Sequence, residues 1–280
     1  MPAPVSYLAI GHVAKDLTPA GPRLGGSVAF ASLTAHALGY PAGVVTASAA
    51  DVDLAPLAEI AVTCRPSPTS TTFENIYGPD GRTQFLRGRA APLSAADVPA
   101  AWRRAPIVHL APLAGELDLD LLTAFDGALL GLTVQGWLRG WDAAGLVSRQ
   151  AWPDAERALP HAQAVILSIE DVRGDWALLR RWAGLTPLLV VTEGPRGCTV
   201  FARGAEPRPF PAVPQTEVDP TGAGDIFAAA FLTQLHETRD PWAAARLANQ
   251  IAAVSVTRPG LAGVPAPAEI ELARRRAEQV

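Results

Sequence analysis

The stretch Glu217-Val-Asp-Pro-Thr-Gly-Ala-Gly-Asp225 sets a carboxylate directly after three residues with little or no side chain, and an apolar run follows at 226–236. Pro220 and the small residues predict a tight turn, and the apolar run predicts a helix that starts from it. The amides of Gly222, Ala223 and Gly224 would then open that helix without intrahelical partners. Free amides and the positive end of the helix dipole together make an anion site. Asp225 lies beside that anion, where a negative side chain has two uses. It can take the proton of a hydroxyl attacking a phosphoryl group while the amides neutralise developing charge. It can also simply stabilise the first helical turn, as acidic residues do. The residues alone leave both readings open.

Other chemistries lack their residues. Lys15 is the only lysine in 280 residues and sits in Gly-His-Val-Ala-Lys-Asp. That context matches neither a Gly-x4-Gly-Lys phosphate loop nor a protein-kinase strand lysine. The five histidines are scattered, and Cys64 and Cys198 form no CxxC pair, so no zinc site is expected and both thiols read as reduced. No Gly-x-Ser-x-Gly elbow suggests a serine hydrolase. The net charge of −4, with no basic block, argues against a nucleic-acid surface. No apolar stretch approaches the roughly 18 residues that span a bilayer. The first residues carry no basic region ahead of an apolar run, so a signal peptide is not expected and a cytoplasmic location is.

The elements that must hold the turn follow a βαβα rhythm. Strands are expected at 7–11, 42–47, 107–110, 128–134, 164–169 and 188–192, and helices at 27–38, 52–60, 118–125 and 176–182. This alternation predicts one α/β domain over 1–280, with a mostly parallel sheet covered on both faces; 49% apolar residues can supply its core. One segment departs from the rhythm. Residues 71–77 and 82–89 alternate in strand fashion around Gly78-Pro79-Asp80-Gly81, which predicts a β-hairpin. It is expected to join 12–24 in a small β lid and to offer an edge for a homodimer.

Val218-Asp-Pro-Thr-Gly-Ala-Gly-Asp225 resembles the second signature of the ribokinase-like (PfkB) family of sugar and nucleoside kinases. The resemblance implies a three-layer α/β sandwich with a mostly parallel central sheet and a β lid. It makes Asp225 the catalytic base and Gly222, Ala223 and Gly224 the anion hole. It implies transfer of the γ-phosphoryl group of ATP, with Mg2+, to a hydroxyl of a small polyol, sugar or nucleoside. Asp16, Gly25, Gly26 and Arg139 would hold the acceptor. Thr192, Gly194, Gly197, Thr221 and Asn249 would border the nucleotide. The family's Asn-x-x-Glu magnesium patch is reduced here to Ser168-Ile-Glu-Asp171, leaving Asp171 and Glu170 to serve.

Further departures narrow the likeness. Phe30 stands where many members have Asn, which argues against a plain ribose or fructose site. Gly25-Gly-Ser-Val-Ala-Phe30 and Val134-Gln-Gly-Trp-Leu-Arg139 are closer to an inositol-kinase-like branch, although Thr133 replaces an Asp usual there. These departures also fit an alternative, a ligand-binding or regulatory protein that keeps the kinase fold.

Overall fold

A computed structural model describes residues 4–78 and 81–279. The centre of the expected hairpin turn, Pro79-Asp80, and residues 1–3 lie outside the described residues. The first half of the chain contains β1 (Tyr7–Ile10), β2 (Ala14–Thr18), β3 (Gly21–Gly25), α1 (Ser27–Ala37), β4 (Ala42–Ser48), β5 (Ala61–Pro66), β6 (Thr72–Gly78), β7 (Gly81–Gly88), β8 (Ile107–Leu110) and β9 (Leu129–Thr133). The second half contains β10 (Arg139–Trp141), β11 (Val147–Arg149), α2 (Ala155–Ala158), β12 (Ala164–Ser168), α3 (Trp176–Ala183), β13 (Leu188–Thr192), β14 (Cys198–Ala202), β15 (Arg208–Phe210), α4 (Ala223–Thr238), α5 (Pro241–Ser255) and α6 (Pro267–Glu278).

Nine strands form the main sheet in the order β15-β14-β13-β12-β9-β8-β1-β4-β5. It is parallel from β13 to β5, and β14 and β15 run antiparallel at one edge. Its central strands are continuous apolar runs rather than alternating ones, because helical layers cover both faces. On one face α1, α4, α5 and α6 enclose a core that includes Tyr7, Phe30, Phe227 and Phe231. The other face packs Trp102, Trp137, Trp152 and Trp182 under α2, α3 and short 3-10 turns.

That second layer corrects two expectations. Residues 52–60 hold only a 3-10 turn, Ala55–Leu57, where Asp53 caps the Ala55 amide at 2.9 Å and Pro56 has no amide to give. The helix expected at 118–125 is the 3-10 turn Leu119–Thr123, and Asp118 spends its side chain on the amide of Asp120. In both segments local carboxylate bonds compete with helix extension.

A second, four-stranded sheet, β3-β2-β6-β7, joins residues 14–25 to the hairpin. β1 lies between β4 and β8 at the point where strand order reverses, so a crevice opens beyond the carboxyl ends of β1 and β8. β2 and β3, which open this smaller sheet, follow β1 directly in the chain.

Candidate active site

Two helices begin at this crevice, and both start from a glycine in the left-handed region. Gly26 (φ 95°) precedes α1 and Gly222 (φ 80°) precedes α4, and neither helix has a side-chain cap. The Ala223 amide closes the turn by donating to Pro220 O at 3.1 Å. Gly222 and Gly224 have no main-chain partner for their amides among the described residues. Gly222 cannot carry a Cβ, because the ring of Phe30 lies against it from below. Phe30 is 2% exposed and forms the floor of the turn.

Asp219 braces the same turn. One of its oxygens accepts from the Thr221 amide and the other from the Gly260 amide, both at 2.9 Å. Burial pushes its carboxyl up, but bonds from Thr221 and Gly260 and the charge of Arg23 outweigh this and hold it below the usual range.

Asp225 is partly buried in the first turn of α4, and the Ser27 hydroxyl at the start of α1 lies close enough to favour its ionised form. Desolvation pushes its pKa up to about 6; Ser27 and the Arg139 guanidinium pull it down, and the charge of Asp171 adds to the rise. A carboxylate in that range takes a proton near neutral pH more readily than an ordinary Asp. Arg139 donates to Leu113 O at 3.3 Å and lies 5.4 Å from the ring centre of Phe73 in β6, which ties the site to the lid.

Asp171 stands at the carboxyl end of β12. It accepts from Gln135 Nε2 at 3.2 Å and from the Ser168 amide at 2.9 Å. Burial raises its pKa, and those two bonds and the charges of Arg139 and Arg149 oppose the rise. Glu170 points to solvent. Among the described residues no group of three or more His, Cys, Asp and Glu is arranged to hold a metal. A single half-buried carboxylate, with hard oxygen donors only, fits a magnesium ion that takes its other ligands from phosphate and water.

Asp16 lies in β2 opposite β3, where its carboxylate occupies the space that a Cβ of Gly25 would need. A Cβ on Gly26 would come within 2.7 Å of His12 O and 2.8 Å of Ala14 N. The pair is therefore required by the close approach of Asp16 and of strand β2, besides any approach of a ligand. Asp16 thus packs against Gly25, and Ser27, next along the chain after Gly26, lies near Asp225.

On the other side Thr192 ends β13 in register with Ser168. Gly194 (φ 58°) is exposed, and Gly197 (φ 97°) lies against Phe210 O and Ala212 N. Thr221 is half-buried in the turn. Asn249 is 6% exposed, and its amide donates to Phe210 O at 3.0 Å. That bond fastens α5 to β15, so the amide is committed to main chain rather than presented to a ligand. Ser27, Gln135 and Asp219 were not singled out as site residues from sequence, although each adjoins or lies within a quoted motif.

Comparison with known proteins gives the family and the fold. Residues 175–268 match the model of the pfkB family carbohydrate kinases. The chain is 31% identical over 290 residues to an inositol 3-kinase of Oryza sativa subsp. japonica, covering 92% of this chain and 70% of that one. It is 29% identical to a cytidine kinase of Thermococcus kodakarensis, over 81% of this chain and 87% of the relative. A pyrophosphate-dependent kinase of the ribokinase family, solved with a pyrophosphate analogue and myo-inositol, superposes with a TM-score of 0.80 at 22% identity, covering 95% of this chain and 99% of that one. A ribokinase of Arabidopsis thaliana, solved with ribose and ATP, gives 0.73 at 17% identity, covering 98% and 99%. The anion turn, the lid and these relatives converge, and the chain belongs to the pfkB family of carbohydrate kinases.

Proposed function

We propose that this kinase transfers the γ-phosphoryl group of ATP, with magnesium, to a hydroxyl of a small polyol, sugar or nucleoside, and that Asp225 is the base. The observation that carries this reading is a partly buried carboxylate with a pKa near 6, beside the open amides of Gly222 and Gly224. The acceptor oxygen forms a bond to phosphorus as the bridging P–O bond of the donor breaks. Its proton passes to the Asp225 carboxylate. The amides at 222 and 224 and the Arg139 guanidinium balance charge on the moving phosphoryl group. Asp16 and the Gly25-Gly26 backbone orient the acceptor. Thr192, Gly194, Gly197 and Thr221 flank the donor, Asn249 supports that wall from behind, and Asp171 faces the magnesium shell, with Glu170 further out.

Replacing Asp225 with Asn tests the reading. Turnover should fall about 10²–10⁴-fold with donor binding retained. Near-full turnover by D225N sinks the base assignment. A wild-type protein that binds acceptors and phosphorylates none would be the regulatory alternative. Cytidine, myo-inositol and ribose are the first acceptors to assay. Pyrophosphate belongs beside ATP as donor, since a structural neighbour depends on it. The lid leaves Ile76 48% exposed, and we place a homodimer contact there. Sedimentation of Ile76→Glu against wild type checks it.

A further inference from the structure

Three polar side chains that the reaction above does not use stand in a row across adjacent strands, and Tyr7 at one end feels the charge of Asp225. Tyr7 opens β1, His109 lies in β8 and Thr133 closes β9, on three adjacent strands. Tyr7 Oη is 2.7 Å from His109 Nδ1, and His109 Nε2 is 3.1 Å from Thr133 Oγ1. Tyr7 and His109 are fully buried, and Thr133 keeps 8% exposure at the crevice end. No other side-chain hydrogen bond involves Tyr7 or Thr133 among the described residues. Burial holds His109 neutral, with a pKa near 3, and raises Tyr7 well above its ordinary value, with the charge of Asp225 adding to the rise.

A neutral imidazole carries one proton, so the row has two possible polarities. In the first, the Tyr7 hydroxyl donates to Nδ1, Nε2–H donates to Thr133 Oγ1, and the Thr133 proton is left over. In the second, Thr133 donates to Nε2, Nδ1–H donates to Tyr7, and the phenol proton is left over. A leftover donor in a fully buried place disfavours the second arrangement by roughly tenfold or more. The first leaves the spare proton on the only member of the row that reaches the crevice.

We propose that Thr133 is a specificity-determining residue of the acceptor site, its hydroxyl held as a hydrogen-bond donor by the Nε2–H tautomer of His109, which Tyr7 positions. It selects an acceptor molecule that offers an oxygen lone pair beside the reacting hydroxyl, as a polyol or sugar with vicinal oxygens does. The inference rests on the kinase reading above.

The test combines kinetics with a measurement that needs no turnover. In histidine-15N-labelled protein, NMR should show His109 as the Nε2–H tautomer; the Nδ1–H tautomer overturns the proposal. With whichever of myo-inositol, cytidine or ribose is phosphorylated, Thr133→Val should raise the acceptor KM about 3–12-fold and leave the donor KM unchanged. Thr133→Ser should stay within about twofold of wild type, as a hydroxyl suffices. Tyr7→Phe should raise the acceptor KM in the same direction while retaining a cooperative urea transition. An unchanged acceptor KM in Thr133→Val, or equal losses in Val and Ser, overturns the proposal. If wild type phosphorylates none of the three with either donor, the kinase reading fails first and takes this role with it, while the tautomer result still stands.

Discussion

Ser27, the first residue of α1, sets its hydroxyl near the carboxylate of Asp225 in the first turn of α4. Two helix starts from distant parts of the chain thus meet at one carboxylate. The Ser27 hydroxyl favours the ionised carboxylate and works against the desolvation that pushes Asp225 up. Replacing Ser27 with Ala should therefore move the acidic limb of the kcat/KM profile to higher pH. Activity should drop several-fold at pH 6–6.5 and approach wild type near pH 8.5. A limb that stays put or moves down contradicts the arrangement.

Asp225 also carries a stability cost. Its folded pKa of about 6 exceeds the ordinary 3.8, so the folded state binds the proton more tightly than the unfolded chain. The stabilisation from this group is complete below pH 3.8 and is lost as pH rises through 6. Asp225→Asn keeps the shape and removes the charge. It should gain on the order of 1–3 kcal/mol at pH 8, or about 2–6 °C in Tm, and the gain should vanish near pH 4. Melting curves across that range decide it, alongside the loss of turnover.

Gly222 should tolerate no side chain. A methyl group there meets the Phe30 ring and forces L-residue backbone to φ 80°. Gly222→Ala should cost about 2–4 kcal/mol and also lower turnover, because the anion amides shift. Adding Phe30→Ala relieves the contact but not the φ, so the double variant should remain well below wild type in chemical denaturation.

Asp219 has the opposite pH signature. Its folded pKa is depressed, so its contribution holds above the ordinary carboxylate range and fades on acidification. Asp219→Ala releases the Thr221 and Gly260 amides and should cost about 1–3 kcal/mol at pH 7. The Tm gap from wild type should narrow as pH falls toward 3. The KM for the donor should rise, since the turn that meets the phosphate loses its brace.

Legibility followed the range of the interactions. The strands at 7–10, 107–110, 129–133, 164–168 and 188–192 and the helices at 27–37 and 176–183 stood out as apolar runs with glycine or proline punctuation. The segments misjudged, 52–60 and 118–125, contain Asp53 and Asp118, whose carboxylates bond nearby amides and divert the chain into 3-10 turns. β14 and β15 went unseen because three to five residues at an antiparallel edge carry little periodic signal.

Residue order alone specified a glycine turn, the helix that follows it and an acid at its first turn, because these depend on backbone sterics within a few residues. Whether that acid is poised or merely ionised depends on its neighbours in space. Ser27, Arg139 and Asp171 reach Asp225 from α1, β10 and the end of β12, and burial by the packed sheet supplies the dominant push. The same holds for the Tyr7–His109–Thr133 row, whose members are 102 and 24 residues apart and meet only through strand order. Electrostatics acts through space and desolvation, and neither distance can be read along a chain until strands β1, β8 and β9 lie side by side.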